Sequence, residues 1–244
     1  MRALFIQQDH VSPTGPIGEA FEARGYDIEL MQVVPAEHHH SPSVSVAFPD
    51  PTQFDVIVPM GAPWSVYDEA LIGTWVTAEL GMMRQAVAAG VPVFGICFGG
   101  QVLPADRMEL GWTTVRTDRP DLIAPGPWFQ WHLDRWQRPP AATALAWTDV
   151  SEQAFVVGNS LGVQFHPEMT PGMLDGWLAK GGDTMARASG YDPDELCRAT
   201  GELADEAARR SRALVDAFLD HVAGVRSSAE PLLFHRSPDR RRTR

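Results

Sequence analysis

VPVFGICFGGQ, Val91 to Gln101, is the stretch on which the reading of this chain turns. An apolar run of strand type, Val91 to Ile96, ends at a cysteine, and after Phe98 come two glycines and a glutamine. A cysteine that only fills a core sits within such a run; Cys97 sits where the run stops and the backbone has to turn. Gly95 and Gly99 remove Cβ atoms where the chain bends or a neighbour comes close. A strand closed by a tight turn belongs at the carboxyl edge of a parallel sheet, where the ligand crevices of open α/β folds lie. The stretch therefore reads as a buried strand delivering a candidate nucleophile.

The sequence on either side supports such a sheet. ALFIQQ near the N-terminus is a short buried strand, followed by helical spacing in IGEAFEARG, which Gly25 closes. DIELMQVV alternates as a second strand, and the Pro-, Ser- and His-rich segment from Pro35 to Phe54 is a loop. DVIVPMG is a third strand, ending in Gly61, and a helix from about Ile72 to Ala89 leads through Gly90 into the fourth. Apolar strands alternating with helices predict a parallel sheet covered on both faces. In the second half, GWTTVRTD, ATALAWTD, AFVVGN and LGVQFHPE are short runs separated by turns, which adds mixed or antiparallel strands. From about Thr170 the pattern is helical, with DELCRATGELADEAARRSRALVDAFLDHVA forming one or two amphipathic helices. The expected organisation is a domain over residues 1–225, its C-terminal helices starting near 170, and a basic, disordered tail over 226–244.

Composition narrows the function classes. A chain of 244 residues with 44% apolar and 21% charged residues can bury a sizeable core. No apolar run reaches the ~20 residues of a membrane span, and the N-terminus lacks the apolar segment of a signal peptide. The net charge of −11 argues against nucleic-acid binding by the main domain. Charge is uneven: six arginines against Glu230 and Asp239 give residues 226–244 a local +4, leaving −15 on the rest. Cys97 and Cys197 lie far apart without metal-type spacing, so no disulfide framework or zinc site is expected, and a cytoplasmic, thiol-permissive setting is the simplest reading. Three consecutive histidines, His38 to His40, are a possible chelating group. Adjacent residues cannot all face one ion in a regular element, however, and no cysteine stands close by in sequence; no metal and no cofactor is expected.

A helix starting just after Cys97 would aim its N-terminal dipole and free N–H groups at the sulfur and favour a thiolate, with the Phe98 N–H placed to donate to an oxyanion. Acyl transfer also needs a base that later acts as an acid, and a group that fixes the base's tautomer. GVQFHPE supplies both: His166, then Glu168 two residues on, on the same side if the segment is a strand.

These motifs resemble a known family. GICFGGQ and GVQFHPE are similar to the two signature motifs of the class I, triad-type glutamine amidotransferases. PMGAPWSVYDE resembles that family's oxyanion-loop segment, and WFQWHLDRW, Trp128 to Trp136, the stretch that grips the substrate's α-amino and carboxyl groups. The four motifs occur in the family's order from Phe54 to Glu168, and the chain resembles a stand-alone member like the glutaminase domain of GMP synthase. The resemblance implies an α/β, flavodoxin-like three-layer sandwich with a mostly parallel central sheet. It implies glutamine as substrate, with Cys97, His166 and Glu168 as catalytic residues and the backbone of Phe98, Gly61 and Ala62 as the oxyanion hole. Gln101, Trp131 and His132 would line the glutamine pocket. Ammonia would pass to a separate synthetase, since the chain carries no nucleotide-binding motif of its own. A γ-glutamyl hydrolase or peptidase would use the same triad, and a non-catalytic subunit would keep the fold alone.

Three departures stand out. Gly61-Ala62-Pro63 replaces the family's common Gly-Gly-Pro, and His132-Leu133-Asp134 its His-Gly-Asp. The third is a deletion: only VLPADRME separates Gln101 from Leu110, about ten residues fewer than the family's helix, turn and strand would occupy. Pro104, six residues into the expected helix, limits it to little more than one turn.

Overall fold

A computed structural model describes residues 1–100 and 103–226. Gln101, and the basic tail from residue 227 onward, lie outside the described residues. The order of elements is β1 (Arg2–Gln7), α1 (Gly15–Ala23), β2 (Asp27–Gln32), β3 (Val56–Pro59), α2 (Glu69–Ala88), β4 (Phe94–Ile96), β5 (Leu103–Thr117), β6 (Gly126–Arg135), β7 (Thr143–Trp147), β8 (Glu152–Val157), β9 (Ser160–Val163), α3 (Pro171–Trp177), α4 (Asp183–Ala188) and α5 (Pro193–His221).

β2, β1 and β3 form one parallel sheet. A second runs β4-β9-β8-β7-β5-β6, parallel between β4 and β9 and antiparallel beyond. The two meet where Ile57 pairs in parallel with Val93 and its N–H donates to the Pro92 carbonyl at 3.0 Å. The strands β2, β1, β3, β4 and β9 therefore share one direction, and the mixed half begins where β8 and β9 join as a hairpin through Gly158 at φ +56°.

Alternation along the strands builds the layers. Ala3 and Phe5 of β1, with Val56 and Val58 of β3, face α1 and α5, among Ile17, Phe21, Leu214 and Phe218. Leu4, Ile6 and Ile57 face the other way, toward Trp75, Val76 and Met82 of α2. Every residue of β1 after Arg2 is buried, as expected for a strand covered on both faces, whereas β2 at the edge is largely exposed. The result is the α/β three-layer sandwich of the sequence reading. The helices start at caps written in the sequence: the side chains of Asp68, Thr170 and Asp192 each accept an N–H from the first turn, the last two ahead of a proline. No described helix is long and apolar enough to cross a membrane.

One buried polar pair makes the core pH-sensitive. Glu79 of α2 is buried in this layer, its Oε1 accepting from Gln8 Nε2 at 2.7 Å. Burial pushes its carboxyl up to about 7, against the pull of the Gln8 bond. The folded chain thus keeps a proton that the unfolded chain releases near 4.5, so stability falls as pH rises from about 4.5 to about 7 and then levels. Glu79→Gln keeps the shape and the hydrogen bond with no proton to lose. It is expected to exceed the wild type by on the order of 3 kcal/mol at about pH 8, the gap closing toward about pH 4.5 in urea unfolding. A gap of constant size across that range would overturn the assignment.

Candidate active site

The carboxyl ends of the five parallel strands converge on one cleft of about 480 Å³. Asp9 follows β1, His39 follows β2, Gly61 follows β3, Cys97 follows β4 and His166 lies three residues past β9; all five line it.

Cys97 comes directly after β4 and is 4% exposed. Its φ is +53°, and among the described residues it is the one non-glycine in the left-handed region. A side chain costs roughly 1 kcal/mol or more there, so the strain is held by the surrounding packing. Ala62 carries no such strain, which removes the cost attached to an alanine in the oxyanion loop. Cys97 opens a single 3-10 turn, Cys97–Gly100, and β5 begins at Leu103. The α-helix expected behind the cysteine does not form. The missing ten residues leave no room for it, and Pro104, which cannot donate within a helix, lies in a strand instead. Phe98 turns its ring into the core against Trp75, at 5.9 Å between centroids, and so anchors the backbone beside Cys97.

His166 and Glu168 sit together, but not on a strand. β9 stops at Val163, and a turn closed by the Met169 N–H on the His166 carbonyl brings the carboxylate round to the ring. His166 Nδ1 lies 2.8 Å from Glu168 Oε1, both side chains being almost wholly buried. The turn is clamped from three sides. The His166 N–H donates to the Phe129 carbonyl at 2.8 Å, Ser211 of α5 donates to the Pro167 carbonyl, and a Cβ on Gly15 would stand 2.2 Å from the Glu168 carbonyl oxygen. Burial alone disfavours the imidazolium. The charges of Glu168 and Cys97 and the hydrogen bonds to both outweigh it, and His166 is pushed up to about 10. Gln164 Nε2 reaches the Cys97 sulfur at 3.6 Å. Gly61 closes the group: a Cβ there would lie 2.9 Å from His166 Cε1 and 3.7 Å from Cys97 Cβ.

The opposite wall is β6. Trp131 and His132 both line the cleft. His132 is buried, with Nδ1 2.9 Å from the Asp134 carbonyl and Nε2 3.3 Å from Glu109 Oε2. Burial works against the charge of Glu109, yet hydrogen bonds from His132, Thr148 and Ser151 hold its carboxyl below the usual range. Tyr67, at the end of the Gly61 loop, donates to Asp134 Oδ1 at 2.8 Å and straps that loop to β6. Of the three adjacent histidines, His39 is buried while His38 and His40 are exposed. Among the described residues no group of His, Cys, Asp and Glu is placed to hold a metal ion.

No protein-family model matches the chain. Among curated proteins, it is 34% identical to the imidazole glycerol phosphate synthase subunit HisH of Symbiobacterium thermophilum, over 35% of this chain and 56% of that one. It is 27% identical to a glutamine-hydrolysing GMP synthase of Stenotrophomonas maltophilia, over 63% of this chain and 34% of the synthase. Among solved structures, a glutamine amidotransferase of Thermotoga maritima superposes with a TM-score of 0.75 at 19% identity, covering 90% and 98% of the two chains. One from Methylobacillus flagellatus gives 0.76 at 20% identity, covering 97% and 99%. The chain has the fold of these glutamine amidotransferases.

The matches span little more than half of the HisH relative and about a third of the GMP synthase. Eight of the residues singled out in the sequence, Cys97, Phe98, His166, Glu168, Gly61, Ala62, Trp131 and His132, fall at the cleft or directly behind it. Gln101 lies outside the described residues. Four further contributors were not singled out: Gln164 at the sulfur, Glu109 behind His132, Tyr67 on Asp134, and Lys180 on the cleft wall. Gln164 stands two residues before His166 within a quoted motif. Lys180 is the chain's sole lysine among twenty basic residues. Those were the available signals, together with the place of Tyr67 in the quoted PMGAPWSVYDE segment; for Glu109 the partner is far away in sequence and no local pattern marks it.

Proposed function

We propose that the chain hydrolyses the side-chain amide of glutamine through a thioester on Cys97. The observation that carries the proposal is the convergence of Cys97 with the buried His166–Glu168 pair under a Gly61 that has no room for a side chain.

The chemistry follows from that arrangement. The Cys97 sulfur attacks the carboxamide carbon, and the thiol proton passes to His166, whose ring Glu168 holds through Nδ1. With no α-helix N-terminus behind the cysteine, the imidazolium of His166, pushed up to about 10, is the cation that stands beside a thiolate. The tetrahedral oxyanion is received by backbone N–H groups of Phe98 and the Gly61–Ala62 turn, each worth on the order of 3 kcal/mol in the transition state. His166 returns the proton to the departing nitrogen, ammonia leaves, and the γ-glutamyl thioester remains. Water, deprotonated by His166, then releases glutamate and the thiolate. Trp131 and His132 on β6 form the wall against which the substrate's α-amino and carboxyl groups rest. The names of the relatives, a synthase subunit and a glutamine-hydrolysing synthase, support ammonia transfer to a separate synthetase as the destination.

The test is intact-mass spectrometry after incubation with a diazo-ketone analogue of glutamine. One adduct on the wild type, absent from Cys97→Ser, is expected. A folded wild type that takes up no label, alone or with a candidate synthetase, would overturn the proposal in favour of a fold kept for binding.

A further inference from the structure

β4 and β9 lie side by side in parallel, with Ile96 opposite Val163 at the end of their pairing. The next residues on the two strands are Cys97 and Gln164, so the register itself brings a glutamine beside the candidate nucleophile. The Gln164 backbone N–H donates to the Gln153 carbonyl of β8 at 2.9 Å, which holds this segment from its other side. From there the side-chain amide reaches the sulfur, Nε2 to Sγ at 3.6 Å.

An amide in this place works against stability. Gln164 is 0% exposed, although glutamine is a residue that mostly stays in water. Burial freezes its long side chain, and its Oε1 has no hydrogen-bond partner among the described residues. A methionine would fill much the same space without an amide to desolvate. What the amide adds is an N–H directed at a reacting atom. A neutral thiol is a weak acceptor, whereas hydrogen bonds to a charged partner are roughly twice as strong as neutral ones. The N–H therefore acts chiefly on a thiolate. Such a donor matters more at this cysteine than behind an α-helix, because Cys97 opens only a 3-10 turn and lacks the N–H groups of a helix N-terminus.

We infer that Gln164 is a further catalytic residue, whose side-chain N–H stabilises the Cys97 sulfur whenever that sulfur carries negative charge. This rests on the thioester reading of Cys97. The charge appears twice in the cycle. It is present on the thiolate before attack, when the thiol proton is on His166. It returns in the second half, when water has added to the thioester carbon and given its proton to His166. The C–S bond then breaks, its electron pair stays on sulfur, and glutamate leaves. In the thioester between these points the sulfur is neutral and the N–H contributes little.

The experiment compares the wild type with Gln164→Met and Gln164→Leu, which keep the volume and remove the donor. Iodoacetamide labelling is read by mass at the peptide carrying Cys97, with the half-buried Cys197 as internal reference. At about pH 6 both variants are expected to alkylate Cys97 about five- to tenfold more slowly, since a less stabilised thiolate is scarcer though more reactive. Their kcat for glutamine is expected to fall about tenfold with KM little changed. The unfolding midpoint should rise by roughly 2 °C or more, because a buried oxygen without a partner is removed. Reactivity down and stability up together are a signature that a packing role would not give. Folded variants that match the wild type in alkylation and kcat overturn the inference while the diazo-ketone label on Cys97 leaves the thioester reading standing. Failure of both variants to fold overturns it too, by showing that the amide serves the fold. If wild-type Cys97 reacts no faster than Cys197 and takes no diazo-ketone label, the thioester reading falls and the inference with it.

Discussion

Glu168→Gln is expected to lower kcat for glutamine hydrolysis by on the order of 10³- to 10⁴-fold with little change in the unfolding midpoint. The reason is the identity of the atom that faces His166. Glu168 Oε1 lies 2.8 Å from Nδ1, and a carboxylate can only accept there, which keeps a proton on Nδ1 and makes Nε2 the nitrogen that takes the proton of the Cys97 thiol. An amide fits the same space but can present its NH₂ group to Nδ1 and so favour the opposite tautomer, with Nε2 protonated and no base at the cysteine. Exchanging the buried orienting carboxylate of such a triad for an amide costs about 10⁴ in kcat in the best-studied case. A second effect adds to the first. The Glu168 charge is the largest of the influences that raise His166 to about 10, and without it burial pulls the imidazolium down. Alkylation of Cys97 by iodoacetamide at neutral pH should therefore slow together with kcat. A loss of less than tenfold, with alkylation unchanged, would show that Glu168 does not orient His166.

The parallel half of the fold was legible in the sequence because its strands are apolar on both faces, and few other elements produce such runs. The helix expected from about Ile72 starts three residues earlier, at Glu69, where the Asp68 side chain caps it. The mixed half was harder. β5 is fifteen residues long, but its pairing with β6 is irregular between Pro104 and Glu109, which breaks the alternation that would have announced it. The His166–Glu168 contact was expected on correct residues for an incorrect reason, strand periodicity, when β9 is only four residues long and the contact is made by a turn. The helix read just after Cys97 is cut to a single 3-10 turn, for the reason that the deletion and Pro104 already supplied. Tyr67 with Asp134, and Glu109 with His132, join segments that the fold alone brings together. Pairs of this kind leave no periodic trace in a single sequence.

Gly61→Ala is the smallest substitution that should disable the site. A methyl group at Gly61 would stand 2.9 Å from His166 Cε1, closer than real Cβ contacts come, and 3.5 Å from Nδ1. One of the two must give way. The Gly61 backbone is tied down, because the preceding Met60 N–H donates to the Ile6 carbonyl at 3.0 Å in the centre of the sheet. His166 has little more freedom. Trp177 lies edge-on at 4.9 Å, Glu168 holds Nδ1 at 2.8 Å, and the His166 N–H is bound to the Phe129 carbonyl at 2.8 Å. The ring can move only by lengthening its bond to Glu168 or by turning away from Cys97, and either spoils proton transfer. A misplacement of about 1 Å costs about 10²-fold in rate, whereas one extra methyl in a tight site costs roughly 1–3 kcal/mol of stability. The expected signature is therefore a folded protein whose kcat is about 10²-fold down, with glutamine still competing for the cleft against the diazo-ketone label. Retention of more than a tenth of wild-type kcat would mean that His166 relaxes without loss. In that event the close approach of Gly61 would serve packing at the end of β3 rather than catalysis.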